Sequence, residues 1–136
     1  MTHRGHVKLV DFGFAKILNK PDGRTETNCG TPAYIAPEIL KNIPYGFEVD
    51  VWSFGVLLVE IVSGSTPFHA EDTKGIYERV TKCQPSYSSM VPHSLRDLLN
   101  KIFVPDQENR IKFKDIKKHP LFAEMDWDLS MNEIFY

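Results

Sequence analysis

Residues 47–64, FEVDVWSFGVLLVEIVSG, are the stretch that decides the fold. Apolar side chains leave almost no polar face, which is typical of a helix buried on all sides or of a membrane span. A membrane span needs about 20 apolar residues without charges, whereas Asp50 and Glu60 bracket a much shorter run. The stretch therefore predicts a core helix that ends at Gly64, because glycine tolerates the left-handed conformation of a C-cap. Each of the two carboxylates then needs a partner or a role.

The composition is that of one soluble globular domain. The chain has 136 residues, of which 42% are hydrophobic and 25% charged, enough to build a real core. The formal net charge of -2 gives no argument for nucleic acid or for an anionic membrane. Cys29 and Cys83 fit no metal-ligand spacing and are too few for a disulfide framework. We therefore expect a reducing, cytoplasmic setting, and the N-terminus shows no signal peptide.

Helical patterns follow the central stretch. Asp72 is expected to cap a helix that runs to about Lys82. Residues 94–103 form the clearest amphipathic pattern, and Ser94 with Asp97 resembles a capping box. Shorter helices are expected at 38–41 and 112–118, and a β-prone run lies at 6–10. The predicted fold class is mainly α, with at most a short β-hairpin near the N-terminus.

Two short motifs enclose a long polar loop. Asp11-Phe12-Gly13 follows the β-prone run, and Ala36-Pro37-Glu38 ends a stretch that we expect to be irregular from Lys16 onward. Irregular stretches of this length are usually functional or disordered. A carboxylate at the end of a strand can bind Mg²⁺, which bridges the phosphates of ATP. The alternative for the first motif alone is an ordinary Asp-Gly turn, but the two motifs in this order match the protein-kinase signature set.

Three segments then resemble a Ser/Thr protein kinase: VKLVDFGFAK at 7–16, TNCGTPAYIAPEIL at 27–40, and residues 50–68. The group it is most similar to is the AGC kinases, and within it the cyclic-nucleotide-dependent kinases. The resemblance implies the helical C-lobe of a kinase, with a partial kinase domain over 1–126 and a short tail at 127–136. It also implies ATP-dependent phosphoryl transfer to Ser or Thr of a protein, with ATP and Mg²⁺ as cofactors of the complete domain.

The resemblance assigns a role to single residues of the loop. Asp11 would bind Mg²⁺, and Phe12 and Gly13 complete the cofactor-binding motif. Thr27 would be the phosphorylation site of the activation loop, with Lys16 in contact with the phosphate, since such a phosphate orders a loop through charge-assisted hydrogen bonds.

Further roles concern the substrate and the helical body. Thr31 would mark Ser/Thr specificity, and Pro32 and Ile35 would shape the pocket for the substrate residue after the phosphorylated one. Glu60 stands where a basophilic kinase holds a substrate arginine. Structural roles fall to Glu38 and Arg110, which would form an ion pair, to Asp50, which would hydrogen-bond the backbone of the catalytic loop, and to Trp52 in the core.

Simpler explanations remain open for several of these residues. Thr27 and Lys16 are also compatible with an exposed, solvated loop. Glu60 is equally compatible with a solvated acid at a helix end, because Ala33 stands where the cyclic-AMP-dependent kinase has a second acid. The pairing of Glu38 with Arg110 is structural rather than catalytic.

Several catalytic parts of a kinase do not occur in this sequence. It contains no G-x-G-x-x-G loop, no Val-Ala-Ile-Lys motif whose lysine would pair with a helix glutamate, and no catalytic-loop His-Arg-Asp, all of which belong to the kinase signature. We therefore assign no catalytic residue and expect the chain alone to be inactive. It corresponds to roughly the second half of a kinase domain, and the helices that are missing should leave apolar surface bare.

The expected partners follow from this incompleteness. They are a protein substrate or regulatory subunit, and the missing N-terminal part of the kinase; neither nucleic acid nor a membrane is expected. The alternative function is a non-catalytic kinase-lobe module that binds substrate or regulatory proteins through residues 47–82. A third possibility is a non-functional remnant.

Overall fold

The computed structural model describes residues 7–18 and 23–127. Over these residues the only strand-like pairing is one antiparallel bridge between Thr25 and Tyr45, so the predicted mainly α class is confirmed. The α-helices are α1 (Pro37–Leu40), α2 (Glu48–Ser63), α3 (Thr73–Thr81), α4 (His93–Ile102) and α5 (Phe113–Ile116). Short 3-10 turns occupy Phe12–Phe14, Pro32–Tyr34, Gln107–Asn109 and Pro120–Phe122.

Helix α2 forms the centre of the core. Its side chains Trp52, Val56 and Val59 are fully buried. Gly64 ends the helix with φ 73° and donates its N–H to the Glu60 carbonyl at 2.8 Å, as the sequence predicts. The prediction that α2 is buried on all sides is wrong, however, because Ile61 is 71% exposed. An apolar strip of this helix has no covering element among the residues that the structure describes.

Three aromatic rings connect α2 to the rest of the core. Trp52 stacks on Phe68 with ring centroids 5.1 Å apart, and Phe103 meets both rings edge-on at 5.0 and 5.1 Å. Gly55 lets α4 approach α2, because a Cβ at this position would lie 2.6 Å from Cγ2 of Ile102. The absence of a side chain at Gly55 therefore sets how closely α2 and α4 pack.

The N-terminal caps predicted for α3 and α4 have different outcomes. Asp72 caps α3 and accepts the N–H of Gly75 at 2.7 Å, as predicted. The predicted capping box of Ser94 and Asp97 is wrong, because α4 begins at His93 directly after Pro92. Ser94 is thus already inside the first turn, where it makes no cap. Asp97 instead accepts hydrogen bonds from Lys101 and His119.

The N-terminal segment differs from the β-prone pattern. Residues 7–10 form no strand, and residue 6 lies outside the described residues. A strand needs a partner for its hydrogen bonds, and no described segment pairs with this one. The segment is instead exposed and rich in apolar side chains: Val7, Leu9, Val10, Phe12, Phe14 and Ile17. Separately, none of the described helices combines the length and the apolar character needed to cross a membrane.

Candidate functional site: the loop between Asp11 and Glu38

The first motif forms a compact turn. Asp11 has the left-handed backbone conformation, with φ 61°, which is uncommon for a residue with a Cβ but best tolerated by Asp and Asn. Its Oδ1 accepts the N–H of Gly13 at 3.2 Å and so starts the 3-10 turn Phe12–Phe14. The carboxylate of Asp11 is exposed to solvent.

The described residues supply part of a magnesium site at most. Mg²⁺ in phosphate-binding sites takes one or two carboxylates together with phosphate and water oxygens. Across residues 7–18 and 23–127 no group of three or more His, Cys, Asp or Glu is arranged to hold a metal ion. The binding of Mg²⁺ by Asp11 therefore stays a prediction, and it would need further oxygen ligands from phosphate, water or another carboxylate.

Lys16 lies between two threonine hydroxyls in the middle of the loop. Its Nζ donates to Oγ1 of Thr25 at 2.8 Å and to Oγ1 of Thr27 at 2.7 Å. The two hydroxyl oxygens are 3.2 Å apart. Thr25 is buried and Thr27 is exposed, so only the Thr27 hydroxyl is open to a modifying enzyme. The structure thus brings together the two residues to which the resemblance assigns a phosphate and its cation.

Thr25 and Tyr45 also belong to this part of the site, although the sequence reasoning missed both. Their backbones exchange hydrogen bonds of 2.8 and 2.9 Å, and the Tyr45 hydroxyl donates to the Thr27 carbonyl. Burial raises the pKa of Tyr45. The one available signal was the Thr25-x-Thr27 spacing, because residues two apart in an extended segment point to the same side.

A buried ion pair fixes the C-terminal end of the loop. Nη1 and Nη2 of Arg110 lie 2.5 and 3.0 Å from the two carboxylate oxygens of Glu38. The Arg110 side chain is 0% exposed and that of Glu38 2%. Nη1 also donates to the Glu48 carbonyl at 2.9 Å, and the guanidinium lies 5.1 Å from the Trp52 ring centroid. The end of the loop is therefore tied directly to the start of α2 and to the aromatic core.

The residues assigned to the substrate lie around the 3-10 turn Pro32–Tyr34. Thr31 is exposed, Pro32 is half-buried and Ile35 is buried. Glu60 accepts a hydrogen bond from the hydroxyl of Tyr34, a contact that the sequence reasoning missed. Burial and this contact with Glu60 raise the pKa of Tyr34 to about 12. Ser53 holds the same turn by donating to the Tyr34 carbonyl at 3.1 Å.

A cavity of about 380 Å³ separates the loop from the start of α2. Lys16, Thr27, Tyr34 and Asp50 are among its lining residues. Although Asp50 is reachable by solvent, desolvation by the surrounding protein raises the pKa of its carboxyl group. Trp52, two residues further along α2, is fully buried in the aromatic core. The contact of Asp50 with a catalytic loop stays a prediction, because the sequence contains no such loop.

An irregular loop between Asp-Phe-Gly and Ala-Pro-Glu, tied by a buried ion pair to a helical body, is the architecture of a protein-kinase C-lobe. The family model described as "Protein kinase domain" matches residues 1–122. This chain belongs to the protein kinase domain family.

Curated relatives agree with this assignment. The chain is 41% identical over 126 residues to protein kinase C delta type of Mus musculus, covering 92% of this chain and 19% of the relative. It is 41% identical over 133 residues to cAMP-dependent protein kinase type 3 of Saccharomyces cerevisiae, covering 94% and 33%. It is 38% identical over 140 residues to cAMP-dependent protein kinase catalytic subunit 2 of Drosophila melanogaster, covering 98% and 39%. The resemblance to AGC-type Ser/Thr kinases is thereby confirmed, while the chain spans only about a fifth to two fifths of the length of these relatives.

Proposed function

We propose that this chain is the part of a Ser/Thr protein kinase that carries the activation loop and the platform for the protein substrate. The complete domain would transfer the γ-phosphoryl group of ATP to a Ser or Thr hydroxyl. The observation that carries this proposal is the loop from Asp11 to Glu38, which the buried contact with Arg110 ties to the helical body. Positioning of this kind is what phosphoryl transfer requires of a protein.

The proposed cofactors are Mg²⁺ and ATP, bound by the complete domain. Asp11 would contribute one oxygen ligand to the metal, and Phe12 and Gly13 would shape the turn that presents it. The sequence has no catalytic base and no Gly-rich loop, so we propose that the chain by itself does not transfer phosphate. We also propose that residues 1–126 are the kinase portion and 127–136 a tail, of which 128–136 lie outside the described residues.

The substrate would lie against the turn at Pro32–Tyr34. Thr31 would select Ser or Thr acceptors, and Pro32 with Ile35 would form the wall next to the following substrate residue. Tyr34 donates to one carboxylate oxygen of Glu60, so the other oxygen would be the freer acceptor for a substrate arginine. A protein substrate or a regulatory subunit is therefore the proposed partner, together with the remainder of a kinase domain.

Regulation would act through Thr27. Phosphorylation would place a dianion beside the Lys16 ammonium, which already lies 2.7 Å from the hydroxyl. The phosphate would make the acceptor of this hydrogen bond ionised as well as the donor, which strengthens the contact. A cytoplasmic location is proposed on the ground that Cys29 and Cys83 are free thiols, the form that a reducing compartment maintains.

A chimeric kinase tests the proposed function. Everything before the position of Lys8 would come from the kinase domain of mouse protein kinase C delta type, and residues 8–136 of this chain would complete it. Transfer of labelled phosphate from ATP to a basic peptide is the measurement. We expect activity in the chimera and at least about a hundredfold loss in Asp11→Asn, as for the removal of an electrostatic catalytic group. The matched control is Asp115→Asn, a partly exposed acid on α5 that pairs with Lys118 far along the chain from Asp11, which should leave the rate unchanged.

Two results would count against the proposal. One is a folded chimera whose rate equals that of its Asp11→Asn variant. The other concerns the unfused chain, which we expect to be inactive: turnover of about 1 s⁻¹, the low end for kinases, would show that it is complete without the catalytic loop.

A further inference from the structure

The segment at residues 24–27 is held by side-chain contacts to two other parts of the chain. Nη1 of Arg24 donates to the Pro44 carbonyl at 3.1 Å, and Nη2 pairs with Oε1 of Glu108. The side chain of Gln107 donates to the same Pro44 carbonyl at 2.9 Å. Arg24 thus joins three parts of the molecule: the long loop, the turn before α2, and the 3-10 turn Gln107–Asn109.

These contacts lie directly beside the threonine–lysine cluster. Arg24 and Pro44 are the chain neighbours of Thr25 and Tyr45, whose backbones exchange two hydrogen bonds. The side chain of Thr25 in turn accepts from Lys16, which also reaches Thr27. A displacement of Arg24 would therefore move Thr25 and, through it, the position of Lys16 relative to Thr27.

We propose that Arg24 and Glu108 form a clasp that positions the Thr27 hydroxyl on the Lys16 ammonium before any phosphate is attached. Arg24 is a positioning residue in this arrangement, since it acts on Thr27 through the Thr25–Tyr45 bridge. Loops of this type are commonly ordered by new arginine contacts to the phosphate. In this chain Arg24 contacts the Pro44 carbonyl and the Glu108 carboxylate, two acceptors that the chain itself supplies.

The clasp has a consequence for regulation, which rests on the proposed function. If the segment is already ordered, phosphorylation of Thr27 adds charge beside Lys16 and changes the backbone little. The dependence of activity on phosphorylation should then be weaker with the clasp than without it.

The strength of the clasp comes from its two acceptors. An exposed ion pair alone contributes little, and the Glu108 side chain is 63% exposed against 25% for Arg24. The guanidinium, however, spans two acceptors on different loops with its planar fork. A lysine at this position has a single point charge and cannot reproduce that geometry.

Hydrogen exchange on the full, unphosphorylated chain tests the clasp. The amides to follow are those of Thr25 and Tyr45, because each donates to the carbonyl of the other. In Arg24→Ala and Glu108→Gln we expect both amides to exchange about fivefold faster, as for the loss of a partly exposed charged contact. The matched control is Glu78→Gln, which removes an exposed ion pair with Lys82 on α3 and should change neither amide.

A second readout separates positioning from general loosening. The nitrogen resonance of the Lys16 amine reports its contact with Thr27, and we expect it to move in Glu108→Gln but not in the control. The amide of Phe103, which closes α4, monitors the core. If Arg24→Ala also speeds the exchange of the Phe103 amide, that variant has loosened the core. The test then rests on Glu108→Gln, which changes an exposed side chain.

Unchanged exchange of Thr25 and Tyr45 in Glu108→Gln would overturn the clasp, as would an unprotected Thr25 amide in the unmodified protein. These outcomes are independent of the chimera. An inactive chimera with clasp-dependent exchange removes the proposed function and leaves the clasp, and an active chimera with clasp-independent exchange does the reverse.

Discussion

Arg110 donates two hydrogen bonds to Glu38 across 72 residues of sequence, at a place where water reaches neither side chain. An ion pair in such a place contributes less to stability than its geometry suggests, because both charges have been removed from water. Breaking it is costly all the same, since one charge then stays buried without a partner. The pair therefore acts as a fixed connection between the loop and the helical body.

Arg110→Ala should destabilise the chain by about 3–5 kcal/mol, because it leaves the Glu38 carboxylate buried and unpaired. Urea unfolding followed by circular dichroism measures the change. The control is Lys82→Ala, which removes the exposed pair with Glu78 and should cost less than about 1 kcal/mol. Equal losses in the two variants would mean that Glu38 reaches water or another cation.

Gly55→Ala should destabilise the chain by about 1–3 kcal/mol through overpacking. The new methyl group would lie 2.6 Å from the Ile102 side chain and 3.1 Å from that of Phe103. Helix propensity alone predicts the opposite sign, a gain of about 1 kcal/mol, so thermal unfolding decides between close packing and propensity. A raised melting temperature would show that α2 and α4 are farther apart than described.

Tyr34→Phe should remove the tyrosine component that titrates near pH 12. The folded chain holds this proton more tightly than the unfolded chain, whose tyrosines titrate near pH 10. The stabilising effect is therefore complete below about pH 10 and is lost as the pH rises towards 12. Ultraviolet titration of tyrosinate follows it, with Tyr77→Phe as the control. After allowance for Tyr87, a titration curve of Tyr34→Phe that is identical to that of the parent chain would contradict the raised pKa of Tyr34.

Leu9→Ser combined with Ile17→Ser should lower the binding of a hydrophobic dye and reduce self-association. Both side chains are more than four fifths exposed, at 85% and 82%, and contiguous apolar surface of this kind promotes association. Dye fluorescence and sedimentation velocity are the measurements. Lys112→Ser with Lys114→Ser is the control, because both lysines are exposed and polar. A monomeric, dye-free parent chain would show that this segment is covered in solution.

Local sequence signals predicted the elements but not the contacts between them. The apolar run of α2, the left-handed Gly64 and the Asp72 cap each depend on neighbours within one or two turns, so the sequence was sufficient for them. The pairing of Glu38 with Arg110 came only from the family resemblance, because nothing in the local pattern relates residues so far apart.

Predictions failed where a distant partner decides the outcome. The run at 7–10 needs another strand, and the exposed side of α2 needs another helix to bury Ile61. Tyr34 with Glu60 and Arg24 with Glu108 meet only because the fold brings a loop against a helix or another loop. A local pattern of residue types and spacings carries no information on contacts between residues that are far apart in the sequence.

The turn at Gln107–Asn109 serves two parts of the loop at once. Glu108, within the turn, contacts Arg24 in the middle of the loop. Arg110, one residue beyond the turn, contacts Glu38 at the end of the loop. Lengthening this turn by a single residue would shift both attachments together, so its length sets the register of the loop on the helical body.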